Sequence, residues 1–285
     1  MSEKLLNQIC IIMVSFRSKK KVEKTISNLN KRISIILVEN SRDKSIKKEF
    51  EKKYKNLQVI IPKINGGQGY AFNIGAKKAN KKFLLFIDMD ITLKDHQILK
   101  LIKKAMEIKK FGVLTPKIKH QSYKDLMINK KNTKFGLKKI IFNTGCVMLV
   151  TKNIFKKINN FDENIFLYYE ENDFYKRCID ANYPVYMYDK VIISNPKSKS
   201  IESKFNHEYL KIRNWHYCWS KFYYYKKHHG YLIGISKTFP NIIRSVKKII
   251  LCVFNLKFKE TVYYLSEIYG LFCSYLGLRS FYRMK

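Results

Sequence analysis

Short unbroken apolar runs alternate with stretches of helical spacing along the first part of the chain. Gln8–Phe16, Ile33–Val38, Leu57–Ile61 and Phe83–Ile87 are apolar throughout or nearly so. Runs of this length, with no polar position every second residue, are expected of strands covered on both faces, as in a parallel sheet. Between them, Lys19–Asn30 places Val22, Ile26 and Leu29 on one helical face. Ile46–Lys55 predicts a short charged helix, and a helix is expected from about Tyr70 to Asn80. Asp95–Lys109 gathers Ile98, Leu101, Ile102 and Ala105 on one side of a further helix. Four strand–helix alternations predict an α/β unit with a mostly parallel sheet.

Beyond it, Gly112–Ile118 and Phe142–Val150 read as strands, and Lys119–Lys139 as a lysine-rich loop or flap. Ile154–Ile158 reads as a short helix, Asp173–Ala181 as a longer one, and Pro184–Ile193 as extended chain. From about Trp215 the character changes. Trp215, Tyr217, Trp219 and Phe222–Tyr225 crowd together with lysines, and Ile242, Val246, Ile249, Ile250 and Val253 then recur at helical spacing among Arg and Lys. Two readings of this tail stand: a helical subdomain, or basic amphipathic helices that dock on an anionic bilayer.

Charge narrows the partners. Lys+Arg number 57 against 22 Asp+Glu, a net charge of +35, and 46% of residues are hydrophobic. A sizeable core and an anionic partner follow: nucleic acid, an acidic membrane surface or a phosphorylated ligand. Basic residues are spread along the chain and no nucleic-acid-binding motif is present, so no nucleic acid is expected as partner. The six cysteines form no C-x-x-C pair and read as reduced, buried thiols of a cytosolic protein. No signal-peptide pattern opens the chain, and no uncharged run is long enough to span a membrane.

The acids are few and their placement is informative. Asp88 and Asp90 follow directly on the Phe83–Ile87 run. Ligands of α/β proteins sit at the carboxyl ends of strands, and carboxylates at i and i+2 there suit Mg²⁺ or Mn²⁺ bridging to phosphates. A turn with two solvated acids has the same spacing. A second cluster holds Asp162, Glu163, Glu170, Glu171 and Asp173. Such acids serve as proton acceptors, or as helix caps and partners of basic residues, with Arg177 at i+4 of Asp173. The loop Asn65–Gly69 precedes a helix and reads either as a phosphate cradle or as a plain turn.

Taken in series, these pieces resemble one family. They are Ser15-Phe16; Leu37–Ser41; Asn65-Gly66-Gly67 with Asn73-Ile74-Gly75; Phe86–Asp90; Asn143–Cys146; Phe161-Asp162-Glu163; Phe166–Asp173 with Arg177; and Arg213-Asn214. The series is similar to family 2 glycosyltransferases of the GT-A fold, close in pattern to bacterial rhamnosyltransferase-like enzymes of surface-polysaccharide synthesis. The resemblance implies an α/β GT-A fold, Rossmann-like, with a C-terminal helical extension. It implies a catalytic domain over 1–214, of which about 1–110 is the nucleotide-sugar half and 111–214 the acceptor half. The basic helical tail then covers 215–285.

The implied reaction moves a sugar, with inversion, from a nucleotide-diphosphate donor to a glycan or lipid-linked acceptor, with a divalent Mn or Mg ion as cofactor. Donor-side residues are then Ser15, Glu39, Asn65, Gly66, Asn73, Asp88 and Asp90, with Asp90 and Asp88 on the metal. Glu171 is the implied base with Glu170 beside it, and Asp162, Glu163 and Asp173 face the acceptor. The family usually has Asp where Glu171 stands. It often has a His as metal ligand near the end of the domain, where the Val191–Asn195 stretch of this chain offers only Asn195; His207 substitutes for it, or water or diphosphate oxygens complete the shell. The implied location is cytoplasmic, peripheral on the inner face of the membrane, and a homodimer is compatible with it. The rival classes are an inactive scaffold of the same fold in a glycan-assembly complex and a nucleic-acid-binding protein.

Overall fold

The computed structural model describes residues 2–122, 126, 136–194 and 206–283. A helix α1 (Ser2–Leu6) leads into β1 (Ile9–Ser15). Then α2 (Lys19–Ser27), β2 (Ser34–Glu39), α3 (Lys44–Lys53), β3 (Leu57–Ile60), α4 (Gln68–Lys78), β4 (Phe83–Ile87) and α5 (Asp95–Glu107) alternate as the periodicity predicts. They are followed by β5 (Val113–Ile118), β6 (Leu137–Lys139), β7 (Val147–Thr151), α6 (Lys152–Lys157), α7 (Glu170–Asp180) and β8 (Val185–Ile193). Three long helices close the chain: α8 (Asn206–His229), α9 (Tyr231–Phe254) and α10 (Phe258–Tyr275). Contacts divide the chain into two compact units, 1–162 with 171–200 and 163–170 with 201–285.

The first unit is built on one eight-stranded sheet ordered β3-β2-β1-β4-β7-β5-β8-β6. Strands β3, β2, β1 and β4 are parallel, and β7 lies antiparallel to β4. Alternation explains the unbroken apolar runs. Ile9, Ile11 and Met13 of β1 and Phe83, Leu85 and Ile87 of β4 belong to a core on one face. Cys10, Ile12, Leu84 and Phe86 point to a second core on the other. Both faces are covered, so every position must be apolar. Each large side chain buried this way contributes roughly 1.5–3 kcal/mol.

Four departures from the sequence reading have local causes. The polar start of the chain forms α1, with Leu5 and Leu6 buried. The end of the expected Lys119–Lys139 loop is a strand, β6, antiparallel to β8; residues 123–125 and 127–135 lie outside the described residues. Strand β7 begins at Val147 rather than Phe142, because the Asn143 side chain takes the local hydrogen bonds. It donates to the Thr115 hydroxyl (2.7 Å) and accepts from the Thr144 N–H (2.9 Å). Helix α7 begins at Glu170, not Asp173, which puts Glu170 and Glu171 in its first turn, where the helix dipole favours acids.

The second unit packs α8, α9 and α10 around two small cores, one of Trp215, Trp219 and Cys273, the other of Cys218, Phe222 and Leu271. The Trp215 and Trp219 rings stack 6.4 Å apart. Buried Glu267 accepts from Arg244 (2.7 Å) and Ser245 (2.6 Å). The segment after α10 is tied back to α8. Trp219 donates its indole N–H to the Leu278 carbonyl (3.0 Å), while His216 Nε2 lies 2.7 Å from the Tyr282 carbonyl and its Nδ1 3.1 Å from the Ser280 hydroxyl. A neutral ring satisfies both of these contacts, with Nε2–H donating and Nδ1 accepting.

Burial pushes the His216 pKa down from 6.5 to about 3. Between those values the unfolded chain binds the proton and the folded chain does not, so this residue's contribution to stability is lost as pH falls from 6.5 toward 3. A thermal unfolding series should show the midpoint dropping below about pH 6.5. His216→Gln should be less stable at pH 7.5 and show a shallower acid slope; an unchanged slope would refute the assignment.

Candidate functional site

The chain runs outward from β1 to β2 and β3, then returns to place β4 on the other side of β1. The crevice at that reversal, past the carboxyl ends of the strands, is where open α/β sheets bind ligands. Register brings the ends level: Ser15 pairs with Glu39, and Met13 with Ile87. Antiparallel β7 enters at the same level, with the Asp88 N–H donating to the Cys146 carbonyl (3.0 Å). The turn Asn143–Cys146 is thereby set beside Asp88.

Asp88, Asp90 and Glu171 converge here. Loss of water and the like charges of Asp90 and then Glu171 push the Asp88 pKa from 3.8 up to about 7, opposed by the Gln68 amide, which donates to Asp88 Oδ1 at 3.2 Å. Glu171 is raised by burial and held back by backbone N–H donors, among them that of Gly145. Its Oε2 is buried and has no hydrogen-bond partner among the described residues. Gly145 is needed for this placement: a Cβ there would stand 3.0 Å from Glu171 Cβ and 3.1 Å from Cγ. Buried Cys146 lies 3.3 Å from the Thr144 hydroxyl, and burial pushes its thiol up to about 12, so it is no thiolate nucleophile at neutral pH.

Among the described residues, no three His, Cys, Asp or Glu side chains form a ready-made metal cage. The donor set still fits a hard divalent cation. Asp88 lies within electrostatic reach of the like charges of Asp90 and Glu171, and Mg²⁺ is commonly held by one or two carboxylates plus substrate phosphates and water. Asn195 lies outside the described residues, and the His207 ring is packed 5.1 Å from that of Tyr263.

The donor-side candidates divide by what they touch. Glu39 is fully buried and accepts from the Ser15 hydroxyl, the Ser41 hydroxyl and the Ser41 N–H (2.8 Å). Burial raises its pKa against those donors. The Asn40 amide donates to the Gly67 carbonyl (3.2 Å), and Asn65 Oδ1 accepts from the Gly67 N–H (3.1 Å). Gly67 caps α4 at φ 95°, a conformation side chains resist, and Gly66 lies against the Tyr70 ring. Asn73 is hydrogen-bonded to the Phe161 backbone: its carboxamide donates to the Phe161 carbonyl and accepts from the Phe161 N–H, both at 3.0 Å.

The acidic cluster also divides. Asp173 is buried and paired with Arg177 at 2.8 Å, and the same guanidinium donates to the carbonyls of Ile158 and Asn160 (2.7 Å), clamping α7 to the end of α6. Asp162 is half-buried and Glu163 exposed, while Glu170 is 5% exposed. Before α7, Tyr168 and Tyr169 both hold left-handed backbone, φ 64° and 70°, a costly conformation for aromatic residues. Their rings are spent on packing, Tyr168 against Tyr217 and Tyr169 against Tyr224 (5.4 Å). Gln68 and Gly145 were not singled out from sequence. Their only signals were a place in the glycine-rich loop and in the Asn-Thr-Gly-Cys stretch before an apolar run.

Known proteins share this fold. A model of "Glycosyl transferase family 2" matches residues 10–159. The chain is 20% identical over 200 residues to the low-salt glycan biosynthesis hexosyltransferase Agl10 of Haloferax volcanii, covering 62% of this chain and 64% of that protein. Among solved structures, the mannosyltransferase PcManGT from Pyrobaculum calidifontis, in complex with GDP-Man and Mn²⁺, superimposes with a TM-score of 0.59 at 8% identity, over 94% of this chain and 86% of that one. S. aureus TarS 1–349, in complex with UDP-GlcNAc, gives 0.53 at 13% identity, over 98% and 94%. At such identities the likeness is one of fold, and the fold is that of GT-A glycosyltransferases with a C-terminal helical region. Since the residues matched by the model make up more than half of the chain, it belongs to glycosyl transferase family 2.

Proposed function

We propose that this chain is an inverting, metal-dependent glycosyltransferase. It moves a hexosyl or deoxyhexosyl group from a nucleotide-diphosphate donor to a glycan or lipid-linked acceptor in surface-polysaccharide synthesis. The observation that carries the reading is the convergence of Asp88, Asp90 and Glu171 at the switch point of the sheet. Family membership and the nucleotide-sugars bound by the two structural relatives support it.

In this reading Asp90 and Asp88 hold the divalent cation, which when bound offsets the charge growing on the departing diphosphate. Gln68 orients Asp88 by its amide hydrogen bond. Glu39, fixed by Ser15 and Ser41, shapes the nucleoside end of the crevice together with Asn65 and Gly66. Glu171 takes the proton from the acceptor hydroxyl. Its burial strengthens it as a base, and its unpartnered Oε2 is the atom that receives the proton. A base opposite the leaving group favours in-line displacement, hence inversion. Glu170, beside it in the first turn of α7, orients the base or the acceptor. Asp162 and Asp173 stand on the acceptor side, Asp173 through its clamp on α7 rather than by contact, while Glu163 belongs to the helical unit.

No helix among the described residues is long and apolar enough to cross a membrane. The second unit nevertheless exposes Leu232 (80%), Phe254 (82%) and Leu256 (76%), with Lys247, Lys248, Lys257 and Lys259 close by in sequence. Apolar residues flanked by lysines suit peripheral docking on the anionic inner face of a membrane.

Three outcomes test the proposal. Excess EDTA and Asp90→Ala should each abolish sugar transfer, and transfer undiminished by EDTA would refute the metal. Glu171→Gln should slow transfer about 10²–10⁴-fold while nucleotide binding persists; a normal rate in that variant, with loss in Glu170→Gln, would move the base to Glu170. Co-sedimentation with anionic vesicles at low salt should fall on adding salt, and fall again when Phe254 and Leu256 are both changed to Glu. Absence of vesicle binding by the intact protein would end the membrane reading.

A further inference from the structure

The helical unit contains a cavity of about 410 Å³ that has no part in the carboxylate site. Its charge is unbalanced: Lys226, Arg279 and Arg283 line it against the single acid Glu163. The Trp219 and Tyr223 rings, stacked 5.0 Å apart at 14°, supply an aromatic wall. The lining is set in advance, because the Leu278 carbonyl is held by the Trp219 indole, and Ser280 and Tyr282 by His216.

Arg283 makes the cavity informative. Its guanidinium lies 3.7 Å over the Phe166 ring and donates to the Tyr282 carbonyl at 3.1 Å. Among the described residues it has no carboxylate partner, whereas Arg177 has Asp173 and Arg244 has Glu267. Loss of water pulls its pKa down to about 10. A guanidinium half-withdrawn from water without a carboxylate beside it gains from an anion, and its planar fork suits a phosphate. The same segment exposes Leu276 (75%), Leu278 (47%) and Phe281 (48%), so the anion pocket opens beside apolar surface. Free phosphate gains nothing from such a rim, but a phosphate carried on an alkyl or isoprenoid chain does.

We propose that this cavity binds the phosphate or diphosphate head of a lipid-linked acceptor, with Arg283, Arg279 and Lys226 on the anion and the Leu278 side taking the start of the chain. The inference rests on the lipid-linked form of the acceptor proposed above. It adds a site to that reading and is tested without turnover.

The test titrates the full-length protein with octyl phosphate below its micellar concentration, read by tryptophan fluorescence and by calorimetry. Octanol and inorganic phosphate serve as the two halves of the probe. Octyl phosphate should bind tightest of the three. Its affinity should fall about tenfold or more in Arg283→Gln and in the doubly changed Lys226→Gln, Arg279→Gln protein, whose altered residues are both exposed. Equal binding to wild type and both variants would mean adhesion to the apolar surface and overturn the site. Absence of binding to wild type would overturn it too. Inorganic phosphate binding as tightly as octyl phosphate would overturn the lipid assignment. If wild type hydrolyses no nucleotide-sugar yet binds octyl phosphate in this charge-dependent way, the transferase reading falls and the anion site stands.

Discussion

Carboxylates drawn out of water beside one another repel, and in this protein the repulsion is tolerated where three elements meet. Asp88 feels Asp90 and Glu171, and its offset is a neutral amide, Gln68, rather than a lysine or arginine. The apolar strands on either side fix the ends of β1, β2 and β4 at one level, and so set the backbone from which Asp88 projects. Like-charged carboxylates so placed are relieved either by protonation of one of them or by a cation between them.

The acid-rich stretch around α7 illustrates how one composition serves several ends. Asp173 is consumed in a buried ion pair that also satisfies two carbonyls at the end of α6. Because Arg177 makes all of these bonds, the first turn of α7 is held in a fixed orientation. Glu171 is therefore presented against Gly145 by a clamped helix rather than by a free loop. Two consecutive tyrosines in left-handed backbone make the sharp entry, and the aromatic contacts of Tyr168 and Tyr169 offset that strain.

Within the helical unit, charge and apolar surface are distributed on a different principle. Arg244 and Glu267 neutralise one another within the bundle, while the cations around the cavity face a single acid. The unit's long helices expose leucine and phenylalanine, among them Leu232, Phe254 and Leu256. The aromatic residues that crowd α8 are largely core: Trp215, Trp219 and Phe222 are almost fully buried.

Much of the architecture was legible in the chain alone. Period-2 burial on two faces forces continuous apolar runs, so β1, β2, β3 and β4 were readable, and so were the helices between them with apolar faces at period 3.6. The order of strands, the antiparallel insertion of β7 and the short β6 were not, because pairing is a long-range property that no local pattern encodes. For the site, sequence marked Asp88, Asp90, Glu170 and Glu171 as acids in unusual positions, and spacing suggested the Asp173–Arg177 pair. Only the tertiary structure decided that Asp88 and Glu171, eighty-three positions apart, share one crevice. It alone turned Asn73 toward Phe161, started α7 at Glu170 and brought Gln68 and Gly145 against the carboxylates. Residue type limits what chemistry a side chain can perform, but which groups meet, and how dry their meeting place is, follows from packing.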